Sequence, residues 1–160
     1  MQNYFFILSI IILGCTQPKI KSISSNIDGQ VLSFSAIHIL LFDDISVTWN
    51  SSTNDFEKDI FYKKLQKDIH KYKFILTNMI ADTTDVNVSV CRNKYKLFKG
   101  DVAYILLDKL IDLPKFKIFN MQFDVYDEKC KNLHYEFIDF IQKNRLFVKN
   151  KVKKYFEKSN

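Results

Sequence analysis

The chain is poor in the residues that make tight turns, with three glycines and two prolines among 160 residues. Sandwiches and barrels join many short strands through turns, and turns use Gly and Pro because these residues supply the required backbone angles. The scarcity therefore argues against an all-β fold and favours helices. It also excludes the glycine-rich loops that cradle phosphate groups.

Residues in catalytic or metal-binding patterns are scarce as well. The three histidines, His38, His70 and His134, stand apart from one another, and no Cys-x-x-Cys or His-x-x-x-His spacing occurs. The Gly-x-Ser-x-Gly segment that presents a hydrolase serine is also missing. We therefore expect no catalytic residue, no metal ion and no cofactor.

Carboxylates occur in close groups, but their surroundings are typical of turns. Asp82 and Asp85 flank two threonines, and Asp43 and Asp44 are adjacent. Asp and Thr in such places bond to nearby backbone groups and shape the turn. A solvated acidic turn is likewise expected for the segment that holds Asp124, Asp127, Glu128 and Cys130.

An apolar run lies near the start of the chain, where residues 5–15 read Phe-Phe-Ile-Leu-Ser-Ile-Ile-Ile-Leu-Gly-Cys. From Tyr4 to Leu13 this run would reach only about 15 Å as a helix, roughly half of a bilayer's hydrocarbon core. It is too short to span a membrane and has the length of the apolar region of a secretory signal. A buried N-terminal strand or helix of a cytosolic domain is the alternative.

The segment Ile12-Leu13-Gly14-Cys15 resembles the lipobox of bacterial lipoproteins. The resemblance implies that residues 1–14 are a signal peptide and that Cys15 becomes the lipidated first residue. The protein would then be a membrane-anchored lipoprotein of the cell envelope, periplasmic or on the outer surface, because two or more acyl chains make a stable anchor. Residues 15–27 are mostly polar and are predicted to form a flexible tether.

Residues 28–160 have the length and composition of one domain with a real core. The chain is 47% apolar and contains 15 phenylalanines, so the core should consist largely of rings. If Cys15 carries lipid, Cys91 and Cys130 remain as a possible disulfide pair in an oxidising compartment. Two free, buried thiols are the alternative.

Helical periodicity appears in three stretches. Apolar residues three or four apart follow the capping residues Ser51 to Asn54 and continue to Ala81. They predict either one long helix or two helices with a break near Asp68 to His70. The next helix should begin at Asp101, be apolar nearly all round and stop at Pro114. The last should run from Tyr135 to Phe156, with a phase change at residues 142–145.

Three shorter segments alternate with period two, at residues 45–49, 86–91 and 119–125. Each has the length of a short strand. We predict a mainly α fold, an irregular antiparallel helix array with a short β-hairpin or extended insertions. An α+β fold with a small three-stranded sheet is the alternative.

One further resemblance supports the helix array. Ile80-Ala81-Asp82-Thr83-Thr84 followed by Gly100-Asp101-Val102-Ala103-Tyr104 is similar to a pattern in small HEAT-like helical domains of bacterial lipoproteins. There a helix ends in an Asp-Thr-Thr turn, a variable loop follows, and a second helix packs back. The resemblance implies stacked antiparallel helices and no particular activity.

The formal charge of +6 is concentrated in residues 143–160, where Glu157 is the single acidic residue. A candidate basic surface is formed there by Lys143, Arg145, Lys149, Lys151, Lys153 and Lys154. A solvated helix face is one interpretation, and contact with a membrane surface or an acidic partner is another. The tail has no nucleic-acid-binding motif, so we do not expect nucleic acid as a partner.

Together these features predict a non-enzymatic, lipid-anchored protein that binds another protein, for example an immunity-type inhibitor or an assembly factor. Two alternatives stay open. One is a small envelope hydrolase that uses Asp82, Asp85 or a histidine. The other is a structural protein whose basic terminal helix lies on anionic lipid.

Overall fold

The computed structural model describes residues 36–42, 45–91, 95–122, 130, 133 and 135–159, and these form two antiparallel sheets and six helices. The predicted leader, lipidation site and tether lie outside the described residues. So do five acidic residues named above and one histidine: Asp43, Asp44, Asp124, Asp127, Glu128 and His134.

The first sheet has the order β1-β2-β3, formed by β1 (Ala36–Phe42), β2 (Ile45–Asn50) and β3 (Asp55–Phe56). Ile39 pairs with Val47 and both are buried, as expected for alternating strands with one face on the core. The turn between β2 and β3 is held by Asn50, whose Oδ1 accepts hydrogen bonds from the backbone N–H groups of residues 52 and 53. The predicted capping cluster at residues 51–54 is therefore a turn between strands.

The second sheet is a hairpin of β4 (Asp85–Val90) and β5 (Tyr95–Phe98). Val88 pairs with Leu97 and Val90 with Tyr95, and the register shifts between Asp85 and Val88. The predicted strand at residues 86–91 is confirmed as β4, whereas β5 was not predicted.

The first predicted helix is two helices, α1 (Ile60–Lys67) and α2 (Ile69–Met79). Asp59 begins α1, because its Oδ1 accepts a hydrogen bond from the backbone N–H of Tyr62 at 2.9 Å. The break falls at Asp68, inside the predicted interval.

The central helix is α3 (Lys99–Ile111), and residues 100–107 are buried along it without interruption. It ends at Asp112, which has φ 56° in the left-handed region, and Pro114 instead precedes the short helix α4 (Lys115–Phe119). The predicted strand at 119–125 is wrong at its start, since Phe119 ends α4.

The last predicted helix is also a pair, α5 (Tyr135–Lys143) and α6 (Arg145–Lys158), with Asn144 at the break. α6 packs against α2 and α4, and α5 packs against α3. Aromatic rings meet between these helices, as the composition predicted: the ring centroids of Phe119 and Phe137 are 5.3 Å apart and those of Tyr104 and Phe137 4.9 Å apart.

The prediction of a mainly α fold is wrong. Of the described residues, 56% are helical and 22% lie in strands, so the fold is an α+β mixture. Scarce glycine did not prevent the two sheets from forming, because other residues adopt the left-handed backbone angles that turns and helix ends need. They have φ between 51° and 56°, and they are Asn54, Asn87, Cys91, Asp112 and Asn120.

The resemblance to HEAT-like domains implied a stacked array of antiparallel helices. This prediction is also wrong, because the described residues include two sheets. α2 and α3 do pack together, but the connection between them is the β4–β5 hairpin rather than a variable loop.

Candidate functional site

A basic groove lies between α4 and α6. Its volume is about 440 Å³, and its walls are Lys117, Ile118, Lys151, Lys154, Tyr155, Lys158 and Ser159. No carboxylate is found among the described residues that line it. The groove therefore presents four ammonium groups to whatever enters it.

The helical repeat of α6 explains how three of these lysines reach one face. Positions 151, 154 and 158 are three and four residues apart, which places their side chains along one stripe. Val148, Val152 and Phe156 lie on a different face of α6 and are buried in the core. Because that apolar stripe fixes the rotation of α6, the lysine stripe faces the edge where α4 packs.

Two exposed aromatic rings belong to the same two helices. Phe116 on α4 is 65% exposed and Phe147 on α6 is 43% exposed. The Nζ atom of Lys151 lies 5.3 Å from the centroid of the Phe147 ring, a cation–π distance. Neither ring is a wall residue of the groove, but Phe147 adds accessible apolar surface next to Lys151, which is one.

Only part of the predicted basic surface contributes to the groove. Lys151 and Lys154 line it, whereas Lys143 pairs with Asp139 at 2.7 Å and Lys153 with Glu157 at 3.9 Å. Lys149 is half-buried on α6 and does not line the groove.

Arg145 points inward and is not part of any basic surface. Its side chain is 10% exposed, and its Nη2 atom lies 2.9 Å from Oδ1 of Asp101, which is completely buried. Its other terminal nitrogen donates to the carbonyl oxygen of Ile80 at 3.1 Å.

The second oxygen of the Asp101 carboxylate is also engaged. It accepts the backbone N–H of Phe98 at 2.9 Å and Nε2 of Gln142 at 2.8 Å. Burial nevertheless raises the pKa of Asp101, although these hydrogen bonds and Arg145 act in the opposite direction. Since no solvent or substrate reaches this carboxylate, we interpret the cluster as structural.

Lys117 and Lys158 are the groove residues that the predicted basic surface omitted. Lys158 could have been predicted from the sequence, because it continues the spacing of Lys151 and Lys154 along α6. Lys117 carried no usable signal, since its position depends on α4 folding back onto α6.

His38 is the one predicted histidine with a described hydrogen bond. Its Nδ1 lies 3.3 Å from Oγ1 of Thr48, which in turn donates to Oδ2 of Asp59 at 2.8 Å. Asp59 is the N-cap of α1, so this chain of contacts anchors β1 and β2 to the helix. His70 is exposed on α2.

Asp82 and Asp85 each bind the backbone two residues further on, the pattern of an Asx turn. Oδ1 of Asp82 accepts the N–H of Thr84 at 2.8 Å, and Oδ1 of Asp85 accepts that of Asn87 at 2.7 Å. Hydrogen bonds from Thr84 lower the pKa of Asp82. Among the described residues, no hydrogen bond joins two of the histidines and carboxylates considered as catalytic.

The described ranges hold no group of three or more His, Cys, Asp or Glu side chains suited to a metal ion. Across that part of the chain, no helix combines the length and apolar character needed to cross a bilayer.

The structure joins Cys91 and Cys130 by a disulfide, with their Cα atoms 4.6 Å apart. This separation is within the usual range for a disulfide. Both residues are buried, and the link ties the end of β4 to the region before α5.

Comparison with known proteins adds no relative: no family model matches this chain, and no similar curated protein or solved structure was found.

Proposed function

We propose that the chain is a lipid-anchored, non-enzymatic protein of the cell envelope that binds an acidic protein partner through the basic groove. The proposal rests on one observation: the groove is lined by Lys117 of α4 and by three lysines of α6, Lys151, Lys154 and Lys158. The described walls contain no carboxylate. An immunity-type inhibitor or an assembly factor would have this character.

Charge complementarity determines the kind of partner. Clustered like charges raise the local potential, which attracts and orients an oppositely charged surface. The exposed ring of Phe147 supplies apolar area beside Lys151, as is usual for the core of a protein interface.

The concave shape favours a protein over a flat lipid surface. Four lysines around a volume of about 440 Å³ suit a protruding acidic segment whose carboxylates enter between α4 and α6. The competing function is a membrane-surface protein, which the same lysines and exposed rings would also serve.

The first experiment compares two charge reversals in the full purified chain. One variant is Lys151→Glu with Lys154→Glu, and the control is Lys63→Glu with Lys67→Glu, two exposed positions of α1. Binding of a fluorescent oligoglutamate peptide should fall about tenfold in the groove variant and stay within about twofold in the control. It should also weaken with added salt.

A vesicle arm separates the protein partner from the membrane surface. The same variants are compared on phosphatidylglycerol and phosphatidylcholine vesicles. If the groove variant loses a preference for anionic vesicles while no form of the chain binds oligoglutamate, the membrane-surface function replaces the one proposed. Equal losses in groove and control variants would rule out a role for the groove.

The anchor has its own test. Cys15→Ala should move the protein from the membrane fraction to the soluble fraction, whereas Thr16→Ala should leave it in the membrane fraction. A Cys15→Ala chain that still sediments with membranes would remove the lipid anchor from the proposal.

A further inference from the structure

The lysine stripe of α6 continues by one turn toward the start of the helix, and its next member is Phe147. Positions 147, 151, 154 and 158 are separated by four, three and four residues, the spacing of one helix face. The stripe therefore carries one aromatic ring followed by three ammonium groups. At 1.5 Å per residue it extends about 16 Å along α6.

Phe147 has a fixed place at the end of this stripe, although it is 43% exposed. Its ring centroid lies 6.2 Å from that of Phe140 at an interplanar angle of 88°, an edge-to-face arrangement. Phe140 in turn contacts the buried ring of Phe119 on α4, with the centroids 6.1 Å apart. A row of rings thus connects Phe147 to the core, and a surface held in place in this way loses little conformational freedom on binding.

Lys151 connects the Phe147 ring to the groove. Its Nζ atom lies 5.3 Å from the centroid of that ring, and the same side chain is a wall residue of the groove. An ammonium group has three hydrogen-bond donors, so Lys151 can bind a carboxylate while it stays over the ring. A partner whose carboxylate binds Lys151 therefore has its neighbouring residues within reach of the exposed surface of Phe147.

We propose that the acidic segment bound by the groove carries an aromatic residue at one end, which packs against Phe147 while carboxylates bind the lysines of the stripe. The inference rests on the proposed function, because it names the sequence that the same partner presents to the same groove. An extended segment rises about 3.3 Å per residue, so the stripe matches about six residues. The ring and the first carboxylate are then about two residues apart, since one turn of α6 separates Phe147 from Lys151.

The test compares capped peptides by NMR titration of the backbone amides of α4 and α6 in the full chain. Phe-Gly-Glu-Glu-Glu-Glu has a terminal ring, Ala-Gly-Glu-Glu-Glu-Glu lacks it, and Glu-Glu-Phe-Gly-Glu-Glu has the ring in the centre. The reversed sequences of the first two cover the opposite chain direction. In one direction, we expect the peptide with the terminal ring to bind about fivefold more tightly than its alanine counterpart and the central isomer, the effect of one aromatic pair.

Phe147→Ala should reduce this preference to below about twofold, because the aromatic pair is lost. Phe61→Ala is the matched control, since Phe61 is 39% exposed on α1, and it should preserve the preference. Circular dichroism checks that each variant is folded. The comparison of the terminal and central isomers on the natural chain needs no variant.

The proposal is overturned if the alanine peptides bind but no terminal ring improves the affinity, and the proposed function then stands. It is also overturned if the central isomer binds as tightly as the terminal ones, or if the preference survives in Phe147→Ala. If no peptide binds, the proposed function fails with it. If Phe147→Ala weakens binding to phosphatidylglycerol vesicles while the peptides show no preference, Phe147 contacts lipid instead of a protein segment.

Discussion

Nη2 of Arg145, near the start of α6, lies 2.9 Å from Oδ1 of Asp101 in the first turn of α3, and the aspartate is wholly buried. The same arginine reaches the Ile80 carbonyl oxygen after α2, and the same carboxylate accepts the N–H of Phe98 at the end of β5. Gln142 of α5 completes the cluster. One buried ion pair therefore joins the ends of four helices and a strand.

Removing the arginine should destabilise the fold strongly. Arg145→Met would leave the Asp101 carboxylate buried without its counter-ion, and losing one member of a buried pair costs about 3–5 kcal/mol. Urea unfolding monitored by circular dichroism measures the change. The matched control is Lys143→Met, which removes an exposed ion pair from the adjacent helix and should cost less than about 1 kcal/mol. Similar losses in both variants would contradict the structural importance of the buried pair.

The loss caused by Arg145→Met should depend on pH. Burial holds the pKa of Asp101 above its ordinary value of 3.8, and Arg145 works against that rise, so the variant should have a still higher pKa. A carboxyl whose pKa is raised by folding contributes its stability at low pH and loses it as the pH rises through the folded-state pKa. The difference in unfolding free energy between natural chain and variant should therefore be largest at neutral pH and shrink as the pH falls toward 3.8. A difference that stays constant over this range would show that Asp101 is not the affected group.

Gly100 should not accept a side chain. A Cβ atom at this position would lie 2.7 Å from the Asp82 carbonyl oxygen and 2.7 Å from Nη1 of Arg145, and it would also collide with the Ile80 carbonyl oxygen. In an ordinary helix Gly→Ala is stabilising by up to about 1 kcal/mol. Here we expect Gly100→Ala to destabilise the chain by about 1–3 kcal/mol. Thermal unfolding of Gly100→Ala measures the sign and size of the change in stability. Asn150→Ala, on the exposed face of α6, is the control. A stabilised Gly100→Ala chain would contradict the packing described here.

The sequence was most informative where apolar periodicity was interrupted by a polar residue. The break near Asn144 was predicted because the inner stripe loses phase at residues 142–145, and phase depends only on local spacing. The break near Asp68 was one of two predictions, and it followed from the length that an unbroken helix would have. The helix predicted over Val102 to Leu113 rested on a segment that is apolar nearly all round and lies between Asp101 and Pro114, and the structure has α3 there.

The sequence was least informative where a segment gains its structure from a neighbour. β3 is two residues long and exists because it pairs with β2, and β5 exists because it pairs with β4. β1 offers a nearly continuous apolar run, which cannot be told from a buried helix by periodicity alone. Non-local pairing of this kind explains why the sheet content was underestimated.

The candidate site shows the same limit. Arg145 was included in the predicted basic surface because that surface was defined by counting basic residues. A count does not reveal that the Arg145 side chain faces the buried Asp101 carboxylate. Lys117 was missed because no helix was predicted directly after Pro114, although Lys115–Phe119 forms α4. Both errors arise from tertiary packing of α4 and α6, which no local pattern records.

The Cys91–Cys130 disulfide gives the last prediction, and it also bears on the proposed compartment. The link spans a sequence separation of 39 residues. On the chain-entropy model, closing a loop of this size stabilises the folded state by about 4 kcal/mol. Reduction should therefore lower the urea midpoint of the natural chain, and Cys91→Ser with Cys130→Ser should match the reduced chain and no longer respond to reductant.

Alkylation of the denatured chain, followed by intact mass, checks the pairing directly. If Cys15 carries lipid and the other two cysteines are linked, no thiol should react before reduction and two should react after it. Disulfides persist mainly in oxidising compartments, so this result would support export as well as the fold. Two thiols that react without reductant in protein taken from the envelope would contradict the link.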